Sequence, residues 1–262
     1  IAGMTPIFMA TNNDNVELLQ YLIDNGANPN QISGEEGIPP LFYAIKGNKI
    51  NIVSFLLKRL GNTSTFFFGD GDTPLHYAVR HGSSQEIIDL LLSVDGISID
   101  ILNIEGQTPL YDAISTVNID MVKTLLVRGA NINVQDYEES TPLHLAASIT
   151  GNETEIIRII ELLLSEDNLY KRQRRAGDVA NVPEANKFIT NIQGELPIDL
   201  AQNTHGPNNA IARILFDDMS GFTEPSSPPR PDDNQGGGRI KKKTKRSKRS
   251  KRSKRSKRSK RS

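Results

Sequence analysis

Apolar residues recur along the chain as two adjacent positions followed, after a gap of two, by two more. They stand at Leu18-Leu19/Leu22-Ile23, Ile52-Val53/Leu56-Leu57, Ile87-Ile88/Leu91-Leu92, Met121-Val122/Leu125-Leu126, Ile159-Ile160/Leu163-Leu164 and Ala210-Ile211/Ile214-Leu215. At 3.6 residues per turn this spacing draws one stripe on a helix, so each segment predicts an amphipathic helix. Upstream of each stripe lies a phrase in a common frame: GMTPIFMA (3–10), GIPPLFYA (37–44), GDTPLHYA (71–78), GQTPLYDA (106–113), ESTPLHLA (139–146) and GELPIDLA (194–201). The third residue of each is Thr5, Pro39, Thr73, Thr108, Thr141 and Leu196, at steps of 34, 34, 35, 33 and 55. Each phrase predicts a helix start, because Thr caps through its hydroxyl and Pro at the first helical position forfeits no hydrogen bond. Gly26, Gly61, Gly96 and Gly129 follow four of the stripes, where a left-handed C-terminal cap belongs.

The repeated unit is therefore helix, turn, helix, hairpin-like loop. One unit cannot bury its own stripe, but stacked units bury one another's, at roughly 1.5 to 3 kcal/mol per apolar side chain before entropy is subtracted. The expected fold class is all-α, a solenoid of about six units near 1–33, 34–68, 69–103, 104–136, 137–190 and 191–219. The fifth unit carries an insertion, SEDNLYKRQRRAGDVANVPEANKF (165–188), too long for a hairpin tip and readable either as a partner-specific loop or as a tolerated insertion.

Thr73 to Ala78 and Thr141 to Ala146 meet in full the Thr-Pro-Leu-His-x-Ala motif of the ankyrin repeat family, which the sequence resembles over residues 1–219. Gly26-Ala27-Asn28 and Gly129-Ala130-Asn131-Ile132-Asn133 match that family's Gly-Ala-Asp/Asn-x-Asn ending. Pro39 and Leu196 depart from it in the Thr position and should weaken capping there; Glu139 stands in place of the usual Gly. The resemblance implies a non-catalytic protein-interaction scaffold whose loops project side by side beside the first helices. It also makes His76 and His144 structural hydrogen bonders. With its low-complexity tail the array is similar, more loosely, to ankyrin proteins of giant DNA viruses of protists.

Charge is distributed unevenly along the chain. The 262 residues hold 31 basic and 31 acidic side chains, yet 16 of the basic ones lie between Arg239 and Ser262, leaving 15 to face all the acids in residues 1–238. Zero net charge thus hides a two-signed molecule, a hint of polyanion binding, of a basic partner, or of one part holding the other. Residues 220–238 form a Pro/Gly-rich linker too poor in apolar residues to fold alone, and 239–262 a Lys-Arg-Ser tail expected to be disordered by self-repulsion. Lys241, Lys242, Lys243, Lys245, Arg246, Lys248 and Arg249 are the candidate polyanion-binding residues; their phosphate contacts would be salt-dependent, and with no aromatic nearby they would read little sequence. The same run resembles a nuclear-import signal, and its serines suit kinases that favour basic surroundings.

The loops 26–39, 61–74, 95–109 and 129–142 contain no Lys or Arg. Glu35, Glu36, Asp70, Asp72, Glu105, Asp136, Glu138 and Glu139 are accordingly the candidate partner-binding residues, an acidic ridge along the loop tips; ordinary solvated turns would place acids there too. No catalytic residue, metal ligand or cofactor is expected: there is no Cys, no His pair at ligand spacing, no nucleophile elbow and no phosphate-binding loop. The expected function is a scaffold that binds a protein partner through its concave face and acidic tips. The alternative is a nucleic-acid-binding protein acting through the tail, with the repeats as adaptor. A ubiquitin-ligase adaptor would need a C-terminal ligase-binding box, which is not seen. A monomer without a membrane span, located in cytoplasm or nucleus, is expected; the opening at Ile1 inside a repeat reads as a fragment or a processed product.

Overall fold

The computed structural model describes residues 4–32, 37–61, 68–69, 71–164 and 185–217. The linker, the basic tail, Glu35, Glu36, Asp70 and most of the insertion in the fifth unit lie outside these. Twelve helices occur among the described residues, in six pairs. The first members are α1 (Pro6–Asn12), α3 (Pro40–Lys46), α5 (Pro74–Arg80), α7 (Pro109–Ser115), α9 (Pro142–Ser148) and α11 (Pro197–His205). The second members are α2 (Val16–Asp24), α4 (Ile50–Leu60), α6 (Gln85–Leu92), α8 (Ile119–Val127), α10 (Glu153–Leu164) and α12 (Ala210–Asp217). Each first helix packs on the next first helix, and α2 on α4, α4 on α6, α8 on α10 and α10 on α12.

The stripes form the core. All four stripe residues are buried in α4 and α8, and Ile87, Ile88 and Leu91 in α6. In α2 only Leu19 is buried and Leu18 is exposed, because the first unit has a neighbour on one side only. From the first helices the core receives the invariantly placed Ala10, Ala44, Ala78, Ala113, Ala146 and Ala201, whose small side chains let the helix pairs close together.

Proline begins every first helix as expected, but threonine acts differently. Thr5 does cap, accepting from the Phe8 amide at 3.4 Å. Thr73 and Thr141 instead bond through Oγ1 to His76 Nδ1 and His144 Nδ1, both at 2.8 Å, and the Thr108 hydroxyl is buried without a partner among the described residues. Leu196 lacks a hydroxyl and caps nothing through its side chain, but its own amide donates to Asp199 Oδ2 at 2.8 Å, the reciprocal bond of a capping box. Three of the second helices are capped by Asn: Asn15, Asn118 and Asn209 each accept an amide three residues on. Gly26, Gly61, Gly96 and Gly129 are left-handed as their position predicts.

Candidate functional site

The two histidines of the repeated phrase tie one unit to the next. His76 Nε2 lies 2.9 Å from the Gln107 carbonyl, and His144 Nε2 3.0 Å from that of Glu195. Because His144 Nδ1 accepts from the Thr141 amide at 3.1 Å, its Nε2 carries the proton that goes to Glu195. In the fourth unit Tyr111 takes over: its buried hydroxyl donates toward the carbonyls of Val134 and Ser140 in the following loop. Burial holds His76 down at about 4, with the Gln107 carbonyl opposing and Arg80 adding to the depression; burial also lowers His144 and pushes the Tyr111 phenol up.

The loop tips form a ladder of their own. The Tyr137 amide donates to the Glu105 carbonyl at 3.1 Å, and the Ile192 amide to the Glu138 carbonyl at 2.9 Å. Below the tips, the Asn131 amide donates to Asp100 Oδ1 at 2.8 Å and the Asn186 amide to Asn133 Oδ1 at 2.7 Å. Each of the last three tips is folded by an Asx turn, with Asn103, Asp136 and Asn191 accepting local amides through Oδ1. Asp136 is thus a half-buried turn-former. Glu105, Glu138 and Glu139 are exposed at neighbouring tips.

Asp72 does not join them. It is 2% exposed, and Oδ2 stands 2.6 Å from Arg80 Nη1. Arg80 also reaches Asp112 Oδ1 on the next first helix, with Nε at 3.0 Å and Nη2 at 2.7 Å. The expectation that Asp72 faces solvent is corrected by this packing: the residue before Thr73 points under the first helix, where a guanidinium bridges it to the fourth unit. Asp112 is 3% exposed and its Oδ2 has no partner among the described residues. Burial pushes its carboxyl up to about 7, against the pull of Arg80, with Asp72 and Glu105 pushing the same way as burial.

Counting charges along the sequence overlooks what lies between them. Ile104, Tyr137 and Ile192 occupy one register, four residues before Thr108, Thr141 and Leu196, and are 61%, 69% and 61% exposed. The tips therefore present apolar and acidic side chains in alternation. Behind the fifth and sixth tips a groove of about 440 Å³ is rimmed by Asp136, Glu138 and Glu195 and floored by Leu145 and Leu200. Neither α7, α9 and α11 nor the tips 103–108, 136–141 and 191–196 contain Lys or Arg. Among the described residues no group of His, Asp and Glu is placed to hold a metal ion, and no helix is long and apolar enough to cross a membrane.

A stack of helix pairs with a ladder of side-by-side tips is the architecture of a repeat protein built to present a surface. Models of ankyrin repeats match residues 2–65 and 59–136, and a single ankyrin repeat matches 138–172, so the chain belongs to the ankyrin repeat family. A curated relative, ankyrin repeat, SAM and basic leucine zipper domain-containing protein 1 of Eulemur macaco macaco, is 41% identical over 83 residues, 32% of this chain and 16% of the relative. Its counterpart in Oryctolagus cuniculus is 41% identical over 86 residues, 33% of this chain and 18% of that protein. The chain thus matches less than a fifth of the length of these relatives. Among solved structures, the ankyrin repeat domain of Bcl-3, a member of the IkappaB protein family, superimposes with a TM-score of 0.59 at 24% identity, covering 81% of this chain and 82% of that one. An ankyrin repeat domain from Acinetobacter baumannii AYE gives 0.59 at 21% identity, covering 80% and 96%. These likenesses show the fold.

Proposed function

We propose that the chain is a non-catalytic scaffold that binds a protein partner through its loop tips and concave face. The observation that carries this reading is the shared register of exposed Ile104, Tyr137 and Ile192 beside exposed Glu105, Glu138 and Glu139. Ile104 and Tyr137 touch the neighbouring tips at Gly71 and Gly106 on one side, yet all three side chains stay more than half exposed, and apolar surface repeated at three consecutive equivalent positions costs the isolated protein solubility. Acidic neighbours free of Lys and Arg give that surface a preference for a basic partner and speed its encounter. Glu36 and Asp70 stand three residues before Pro39 and Thr73, as Glu105 and Glu138 stand before Thr108 and Thr141, and Glu35 adds a charge beside Glu36.

A second reading rests on the 16 basic residues of 239–262: nucleic acid held through Lys241, Lys242, Lys243, Lys245, Arg246, Lys248 and Arg249, with the repeats as adaptor. Affinity purification with the full chain and with a chain ending at Gly238 separates the two. Protein partners retained by the shortened chain are expected. A purification that yields only RNA or DNA, lost together with the tail, would replace the first reading by the second.

A further inference from the structure

Among the described residues the tip ladder ends at the sixth unit. At two joints the structure shows both a socket and what fills it. The side chain of Ile104 occupies the space where a Cβ on Gly71 would stand, and the Tyr137 ring comes within 2.7 Å of such a position on Gly106. At the second of these joints the Tyr137 amide also donates to the carbonyl of Glu105, the residue just before Gly106. The next joint keeps the amide-to-carbonyl bond, from Ile192 to Glu138, with left-handed Glu139 in the glycine position. A filled socket therefore consists of a carbonyl that accepts from the incoming residue and, when the following residue is glycine, a notch that receives its side chain.

The sixth tip repeats these elements without an occupant among the described residues. Gln193 corresponds to Glu105 and Glu138, and Gly194 to Gly71 and Gly106. Gly194 has the same left-handed backbone, φ +78° against +77° at Gly106. Among the described residues no atom lies within 4 Å of its Cβ position, and no hydrogen bond is made to the Gln193 carbonyl. We propose that Gln193 and Gly194 form a socket for a partner protein. The occupant is a turn-forming segment whose Ile- or Tyr-like residue donates its amide to the Gln193 carbonyl and lays its side chain on Gly194. The chain itself supplies this specification, since it fills the equivalent positions with Ile104 and Tyr137. Recognition is through one backbone hydrogen bond and one apolar side chain, as at the filled joints. The inference rests on the protein-interaction reading and names one place and one chemistry within it.

The probe is a blocked synthetic peptide with the sequence of residues 134–141, the tip that fills the Gly106 socket. Isotope-labelled full-length protein is titrated with it and the backbone amides are followed by NMR. Weak binding, ~1 mM, with shifts confined to 191–196 is expected from one hydrogen bond and one side chain. Gly194→Val should weaken it about tenfold or more. Because this variant strains a left-handed position, a second measurement leaves the protein untouched: methylating the peptide's Tyr amide nitrogen removes the donor and should abolish the shifts. No shifts at 191–196, or equal binding of the methylated peptide, would overturn the proposal. So would concentration-dependent self-association lost in Gly194→Val, which would assign the socket to a second copy. If the peptide fails while partners still crosslink from Tyr137, only the socket falls; if both fail, the interaction reading falls with it.

Discussion

Between pH 4 and pH 8, Asp112→Asn is expected to gain as much as about 4 kcal/mol of stability relative to the parent protein. In the folded chain the Asp112 carboxyl titrates near 7, against 3.8 for an ordinary aspartate. Across that window the native state holds a proton that the unfolded state has released, so stability falls as pH rises and stays at the lower level above 7. Three pH units at about 1.4 kcal/mol each give the magnitude. Asn carries no such proton and removes the slope. His76 works in the opposite sense: held near 4 in the fold against an ordinary 6.5, it stays neutral while the unfolded chain takes up a proton. That term makes stability rise with pH from 4 to 6.5, by about 3 kcal/mol. In the parent the two slopes oppose each other, and each substitution exposes the other. Asp112→Asn should therefore gain stability steeply from pH 4 to 6.5, whereas His76→Gln should lose it from pH 4 to 7. Chemical denaturation of the three proteins at unit pH steps checks both, because the remaining carboxylates cancel in the differences. Parallel profiles for parent and Asp112→Asn would mean that Arg80 fully offsets burial and the push of Asp72 and Glu105, leaving Asp112 an ordinary carboxylate.

Ile88→Ala should cost about 2 to 5 kcal/mol, the usual range for deleting a fully buried aliphatic chain. Ile88 is completely buried in the third unit, with a stacked pair on either side. Ile211 is equally buried but belongs to the sixth unit, the last among the described residues. In a linear array stability is a sum of unit and nearest-neighbour terms, so Ile211→Ala should mainly fray its own end, appearing as an early low-amplitude transition ahead of the main one. Urea unfolding followed by circular dichroism and by exchange of individual amides distinguishes the two. Equal shifts of a single transition by both variants would show that the stack unfolds as one block and that position along it is immaterial.

The fold could be read from sequence because its signal is repeated: the stripe and the Thr-Pro phrase each recur six times, so the losses at Pro39, Leu196 and Glu139 are outvoted by the remaining frame. Individual roles within the frame were less legible. Thr73 and Thr141 suggest caps, but a histidine three residues on competes for the hydroxyl, and only the carbonyl of the next unit explains why that histidine is there. Asp72 sits in a run without Lys or Arg and reads as an exposed turn charge. Its partner Arg80 is eight residues away, on the facing end of a helix, and that proximity exists only once the helix is folded. The pairing of Arg80 with Asp112 needs the neighbouring unit as well. The apolar register at Ile104, Tyr137 and Ile192 was present in the alignment of the phrases, four positions before the Thr slot. Attention to charge alone passes over it, because a single exposed Ile is unremarkable and only its repetition carries meaning.

The tips, and not the outer surface, are expected to meet the partner. A photo-crosslinking amino acid placed at Tyr137 in the full-length chain tests it most directly, with the same group at Arg158 as the comparison. Arg158 is exposed on α10, beside the groove between α8 and α10 that Lys123 and Glu155 also line. After irradiation in cells, we expect discrete protein adducts from position 137 that are retained when residues 239–262 are deleted and lost when Glu105, Glu138 and Glu139 are changed together to Gln; position 158 should give none of them. The same adducts from Arg158, or none from Tyr137 while Arg158 yields them, would contradict the account.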